Sequence, residues 1–217
     1  KVPFVLSSGI DPRSGNIYVS LNFHGHTGGG AATRYVDGWG LYPPCQAAGL
    51  IPSAEMVEIQ YPCRILEHEF IIDSAGPGKW RGLPSIRTRT QYLDHVSHHQ
   101  VLVWGDKYPL PGLAGGKDAP WGNSAILNHG SPQAVQYSAA LDITMPPDGI
   151  VCQLNGGGGG WGDPYERDET LVQKDVSNGL VSIAGALKDY GVKLDPATYD
   201  IEYEETKSIR KIQLRDQ

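Results

Sequence analysis

The chain has 217 residues, enough for one large domain or two small ones around a buried core. Hydrophobic residues make up 40% and charged residues 19%, with a formal net charge of -6 and a pI near 5.6. That is a globular composition, with nothing that favours nucleic acid or an anionic membrane as partner, and no apolar run reaches the roughly 18 residues of a membrane span.

The opening, Lys1-Val-Pro-Phe-Val5, has the character of mid-strand sequence, which predicts a piece of a longer polypeptide. Alternating, β-branched segments then follow one another. Strands are expected over 16–23, 64–72, 84–92, 95–104, 134–144 and 150–154. In the third, Ile86, Thr88, Thr90 and Tyr92 oppose Arg87, Arg89 and Gln91. Turn clusters such as Ser74-Ala-Gly-Pro-Gly-Lys79 and Pro146-Pro-Asp-Gly149 separate the strands. The spacing predicts a mainly antiparallel β region of sandwich or barrel type. After residue 154 the character changes. Asp168 caps a first short helix, stopped by Asn178-Gly179, and Ser182 opens a second over 183–190 with Gly191 as its left-handed end. The charged tail, 199–215, is read as a last strand. The fold class expected is α+β, β-rich over 1–154 and helical over 155–217, as one unit with two short C-terminal helices.

Asn155 is followed by five glycines, Gly156 to Gly160, then Trp161-Gly-Asp163-Pro164. Glycine loses more backbone freedom on ordering than any other residue, so such a run implies a close approach. It is not a nucleotide fingerprint. Gly157-x-Gly159-x-x-Gly162 has the letters of the dinucleotide motif, but Asp163-Pro164 interrupts where a helix must begin, and no P-loop spacing occurs. Two readings stand for Gly156, Gly157, Gly158, Gly159 and Gly160: backbone N–H groups cradling an anionic or carbonyl oxygen, or tight packing against another backbone. Asp163, with Glu166 and Asp168, is either a general base or a helix cap. His24 and His26 would share one strand face and together offer two ligands to a metal, short of the three or four a site needs. Cys45, Cys63 and Cys152 form no C-x-x-C pair and lie in apolar settings, which predicts structural thiols in a reducing, cytoplasmic compartment. Arg87 and Arg89 on one strand face can pair with a carboxylate or stand solvated.

The run Asn155 to Asp168, with Val176-Ser-Asn-Gly-Leu-Val-Ser182 and Asp189-Tyr-Gly-Val192, resembles the C-terminal end of the hydantoinase B/oxoprolinase family. Asp73-Ser-Ala-Gly-Pro-Gly-Lys-Trp-Arg-Gly82, Pro111-Gly-Leu-Ala-Gly-Gly-Lys117 and Gly28-Gly-Gly-Ala-Ala32 with Asp37-Gly-Trp39 are similar to it in the same order. The resemblance implies a large subunit of an ATP-dependent, hetero-oligomeric enzyme. Such enzymes hydrolyse cyclic amides of the hydantoin, oxoproline or lactam type, or carboxylate ketones such as acetone and acetophenone, through a phosphorylated intermediate. It further implies a hydantoinase A-type partner subunit that binds ATP, the remainder of the chain's own subunit, and a small-molecule substrate. ATP and a divalent metal, Mg or Mn, would lie mostly outside this segment. Gly156 to Gly160 would steady an oxyanion or phosphoryl oxygen. The alternative is a structural and subunit-docking module without chemistry of its own.

Overall fold

The structure is a computed structural model that describes residues 3–22, 28–40 and 52–213. Among these residues nine strands form two antiparallel sheets. The first sheet runs β2 (Ile17–Leu21), β1 (Pro3–Ile10), β5 (Ser97–Val103), β8 (Ala139–Met145). The second runs β3 (Cys63–Phe70), β4 (Ile86–Tyr92), β9 (Ile150–Leu154), β6 (Ser124–Leu127), β7 (Val135–Tyr137). Alternation decides which side faces in. Ile86, Thr88, Thr90 and Tyr92 are buried, while Arg87, Arg89 and Gln91 lie on the outer face. In β3 a bulge between Ile65 and Glu67 resets the pairing and turns Leu66 outward.

The sheets pack face to face as a sandwich. Val5, Val101 and Val103 of the first meet Ala125, Leu127 and Val151 of the second. Part of the interior is polar. The Tyr92 hydroxyl donates to Ser7 Oγ at 2.6 Å, and Ser7 Oγ lies 2.9 Å from His99 Nδ1. His99 Nε2 lies 2.9 Å from Ser97 Oγ. With the Tyr92 proton on Ser7, an assignment that uses each hydroxyl proton once has Ser7 donating to Nδ1 and Nε2–H donating to Ser97. Burial pushes His99 down to about 3, so the ring is neutral.

Among the described residues four α-helices accompany the strands: α1 (Ala54–Gln60), α2 (Glu169–Ser177), α3 (Ile183–Tyr190) and α4 (Tyr203–Gln213). The expected caps are in place. Asp168 accepts from Thr170 N, Ser182 accepts from Gly185 N, and Gly191 closes α3 at φ 63°. Val172, Val176, Ala186, Tyr190, Val192 and Leu194 form a second, smaller core.

The α+β class holds, with two corrections. The tail is helical rather than a strand: a single bridge, Leu194 to Ile201, precedes α4. Glu204 and Glu205 in its first turn and Arg210 and Lys211 in its last complement the helix dipole. Arg210 fastens it, donating to Glu169 (2.8 Å), the Arg167 carbonyl (2.8 Å) and the Tyr190 carbonyl (3.1 Å). Three helices therefore follow the strands, and α1 lies among them.

Candidate functional site: a glycine cage beside a charged cleft

The glycine run leaves β9 at Leu154 and passes through a cage made of residues 28–33, 74–83 and 110–119. Each wall bonds to it. Gly29 N donates to Gly156 O (3.2 Å), Ala32 N to Gly159 O (2.9 Å), Gly76 N to Gly158 O (2.8 Å) and Leu113 N to Gly160 O (2.9 Å). In return Gly156 N donates to Asn123 Oδ1 (2.6 Å), Gly158 N to Leu83 O (2.8 Å) and Gly160 N to Lys117 O (3.0 Å).

The run is closed in by backbone carbonyls from each wall. A Cβ on Gly157 would fall on the Ser74 carbonyl oxygen and one on Gly160 on that of Pro77, in the same wall. One on Gly158 would fall on Gly30 O, and one on Gly159 on Pro111 O. The backbone is hemmed in on every side, as glycine is at the axis of collagen. Each Cα–H points at a carbonyl oxygen, a weak hydrogen bond that a side chain would abolish. None of the five glycines lies in the left-handed region. Glycine is required here for space, not for handedness. Gly162, at φ 75°, is where the backbone turns.

The N–H groups of Gly157 and Gly159 have no acceptor among the described residues. These two are the run's remaining donors. Asp163 caps the short 3-10 turn Pro164–Glu166, accepting from Tyr165 N at 2.9 Å. His24 and His26 lie outside the described residues, and among the described residues no three His, Cys, Asp or Glu side chains are grouped to hold a metal.

An ion network that no local sequence pattern announces closes the cage. Arg167 is fully buried and grips Asp37 with two parallel hydrogen bonds, 2.7 and 2.8 Å. Its Nη2 also donates to Asp175 Oδ2 at 2.9 Å. Asp175 in turn receives two bonds from Arg81, each 3.1 Å, and Arg81 N donates to Asp37 Oδ1 at 2.8 Å. Two cations and two anions cancel, which makes their burial tolerable. Burial works to raise the Asp37 pKa, but the Arg167 bonds and charge outweigh it and hold the carboxyl below its usual range. The network joins the 28–40 strap, the 74–83 wall and α2. The signal that could have found it was charge inside the recognised motifs, with Asp37 in one and Arg81 and Arg167 in two others.

Against the cage lies a cleft of about 410 Å³ between the 74–83 and 111–118 walls and α3. Lys117, whose carbonyl accepts from Gly160, reaches Asp189 with its Nζ at 3.0 Å. Asp73, at φ 56°, accepts from Ser182 N at 2.8 Å and so holds the start of α3. Arg81 and Lys188 add positive charge to the lining and Asp118 negative. The cleft can take a small polar molecule with both donor and acceptor groups.

Comparison with known proteins agrees with this architecture. The chain is 34% identical over 194 residues to the beta chain of the caprolactamase of Pseudomonas jessenii, covering 87% of this chain and 33% of that one. It is 33% identical over 160 residues to a protein of Pseudomonas sp. strain NS671 named as the B-type component of a D-/L-hydantoinase, covering 73% and 26%. The crystal structure of the ATP-dependent caprolactamase from P. jessenii superposes with a TM-score of 0.78 at 29% identity, covering 96% of this chain and 37% of that one. Nucleotide-free acetone carboxylase shares the fold, with a TM-score of 0.79 at 19% identity over 99% and 33%. The chain thus spans about a third of the length of the relatives it matches. With the family profile matching residues 1–164 as well, the chain belongs to the hydantoinase B/oxoprolinase family.

Proposed function

We propose that this chain is part of the catalytic subunit of an ATP-dependent, hetero-oligomeric enzyme that opens cyclic amides or carboxylates ketones through a phosphorylated intermediate. The observation that carries this is the likeness to the beta chain of caprolactamase in sequence and in fold. A hydantoinase A-type subunit would bind ATP, with a divalent metal, Mg or Mn, held largely outside the described residues. The described side chains do not form a three-ligand metal set, so none of them is assigned to hold it. Water, or an enolate acting on activated carbonate, would attack the activated species. The part left to this chain is positional. The cage fixes the run and leaves the N–H groups of Gly157 and Gly159 as two donors for a developing oxyanion or phosphoryl oxygen.

The test is reconstitution of the full subunit with its ATP-binding partner. ATP-dependent ring opening of caprolactam, hydantoin or 5-oxoproline, or carboxylation of acetone, with phosphate released in step with product, is the expected result. Activity of the 217-residue chain alone, or turnover of these compounds without ATP, would overturn the proposal.

A second reading, a structural and docking module, is favoured by one observation. The N–H groups of Gly156, Gly158 and Gly160 are already bonded inside the cage. It predicts that cage variants lose subunits, and lose turnover only in proportion.

A further inference from the structure

Arg87 and Arg89 take no part in the cage or the cleft. They stand on the outer face of the second sheet, and the strand register sets their neighbours. Glu67, Arg89, Cys152 and Ile126 lie in one row across β3, β4, β9 and β6, and Glu69, Arg87, Leu154 and Ser124 lie in the next. Over these rows Ile71 and Trp121 rise from the flanking loops and enclose an open groove of about 320 Å³. Its floor and walls are apolar, built from Ile71, Trp121, Ile126, Cys152 and Leu154. Its polar groups are Arg87, Ser124 and His129.

Of the four charged side chains in these rows, Arg87, Arg89, Glu67 and Glu69, only Arg87 lines the groove. Glu67 accepts from Arg87 Nε at 2.5 Å and lies 3.7 Å from Arg89 Nη1, so one carboxylate serves two guanidinium groups. The two terminal nitrogens of Arg87 have no acceptor among the described residues, and Arg89 Nε is buried without one. His129 Nδ1 is likewise buried and unpartnered. Burial, then the charges of Arg89 and Arg87, hold that imidazole neutral at pH 7. A buried donor without a partner is costly, and a guanidinium whose terminal nitrogens lack an acceptor favours a planar anion. An apolar slot with a few convergent polar groups at one end is the usual form of a small-molecule site.

We propose that this groove binds a small organic carboxylate with an apolar body, the carboxylate on the Arg87 guanidinium with Ser124 and His129 beside it, and the carbon chain along Ile126, Leu154 and Trp121. A metal cation is disfavoured by the two arginines. A bare inorganic anion would leave the apolar walls wet. The site is separate from the glycine cage and does not depend on which reaction the assembled enzyme performs.

Titration of the 217-residue chain with hexanoate, followed by calorimetry and by the indole resonances, tests this. One-site binding at about 1 mM or tighter is expected. The Trp121 indole signal, assigned through Trp121→Phe, should move with it. Acetate, lacking the chain, should bind at least about tenfold more weakly, because each buried methylene contributes, and hexylamine should not bind. Arg87→Gln should weaken hexanoate about tenfold or more, with the thermal midpoint near wild type because Arg87 is 45% exposed. Ile126→Ser should weaken hexanoate while leaving acetate unchanged. No saturation at about 10 mM hexanoate, equal binding of hexylamine, or full hexanoate affinity in a folded Arg87→Gln chain would each overturn the proposal.

Discussion

Arg167 and Asp37 meet through two parallel hydrogen bonds of 2.7 and 2.8 Å although 130 positions separate them in the chain. The pair fixes the strap 28–40 to the helical segment, and Asp175 extends the tie to Arg81. Because the ions balance only as a set, removing one member strands the rest. Arg167→Met leaves Asp37 without its cation and Asp175 with Arg81 alone. The expected cost is about 3–5 kcal/mol in urea unfolding, the range for breaking a buried pair. Asp37→Asn should cost less, since Asp37 is 31% exposed and Asn keeps a hydrogen-bond acceptor. Equal, small effects from both variants would show that the network carries little.

The cage makes a different prediction about glycine. Gly179, at φ 70° with nothing near its missing Cβ, needs handedness only. Gly158 has no left-handed φ, but its missing Cβ points at the Gly30 carbonyl. Gly179→Ala should therefore cost about 1–2 kcal/mol, and Gly179→Asn less, because Asn tolerates that region. At Gly158 neither residue escapes the clash, so Gly158→Ala and Gly158→Asn should both cost about 3 kcal/mol or more, as over-packing of a tight interior does. Thermal unfolding of the four variants decides it. If Asn rescues both positions, the run is governed by φ and not by space.

Legibility in the sequence followed the range of the interaction. The strand alternation of Ile86 to Tyr92, the caps Asp168 and Ser182, and the left-handed Gly191 are local and were readable. Helix α4 was not, because Tyr199, Ile201 and Tyr203 give its approach a strand-like look, while of its inward positions Thr206, Ile209 and Arg210 only Ile209 is apolar. Strand β6 is only Ser124 to Leu127, too short to show a period. The five glycines announced a close approach, but the walls come from segments 40 to 130 residues away, and no local pattern names them. The same distance hid the bond between Asp37 and Arg167, although both residues stood inside recognised motifs.

The thiols should be inert. Burial, with the charge of Glu58, pushes Cys63 up to about 12, against a smaller opposing effect of Arg13. Burial pushes Cys152 up to about 11 even with Arg87 and Arg89 near. At pH 8 the thiolate fractions are then on the order of 10⁻⁴ and 10⁻³. In a Cys45→Ser chain, a disulfide reagent should label neither residue in the native state and both in urea, at a rate set by unfolding. Fast stoichiometric labelling of Cys152 in the folded chain would contradict the burial argument and reopen a reactive-thiol role.

Stability should fall with pH well above the range of ordinary acid unfolding, and His99 is the main reason. Its ordinary pKa is 6.5, and burial holds it near 3 in the folded chain. Between those values the unfolded chain binds a proton that the folded chain does not, so lowering the pH favours unfolding. The contribution is absent above about pH 7 and grows as the pH drops towards 3, by up to about 1.4 kcal/mol per pH unit. From pH 6.5 to pH 5 it should remove about 1.5 kcal/mol. Asp37 acts in a lower window. Its depressed pKa gives stability that is complete above about pH 4 and lost only as the pH falls through the folded value. His68 and His129 are also held down by burial and add slope of the same sign, but they do so with or without His99. The difference between wild type and His99→Gln between pH 5 and 6.5 therefore isolates one imidazole. Gln keeps a donor and an acceptor for Ser7 and Ser97 and has no proton to gain. The variant should start less stable at pH 7 and lose less on acidification, so the two urea-midpoint curves converge towards pH 5. Curves that stay parallel would show that His99 takes up its proton as readily in the fold as in the unfolded chain, against the tautomer assigned from Tyr92 through Ser7.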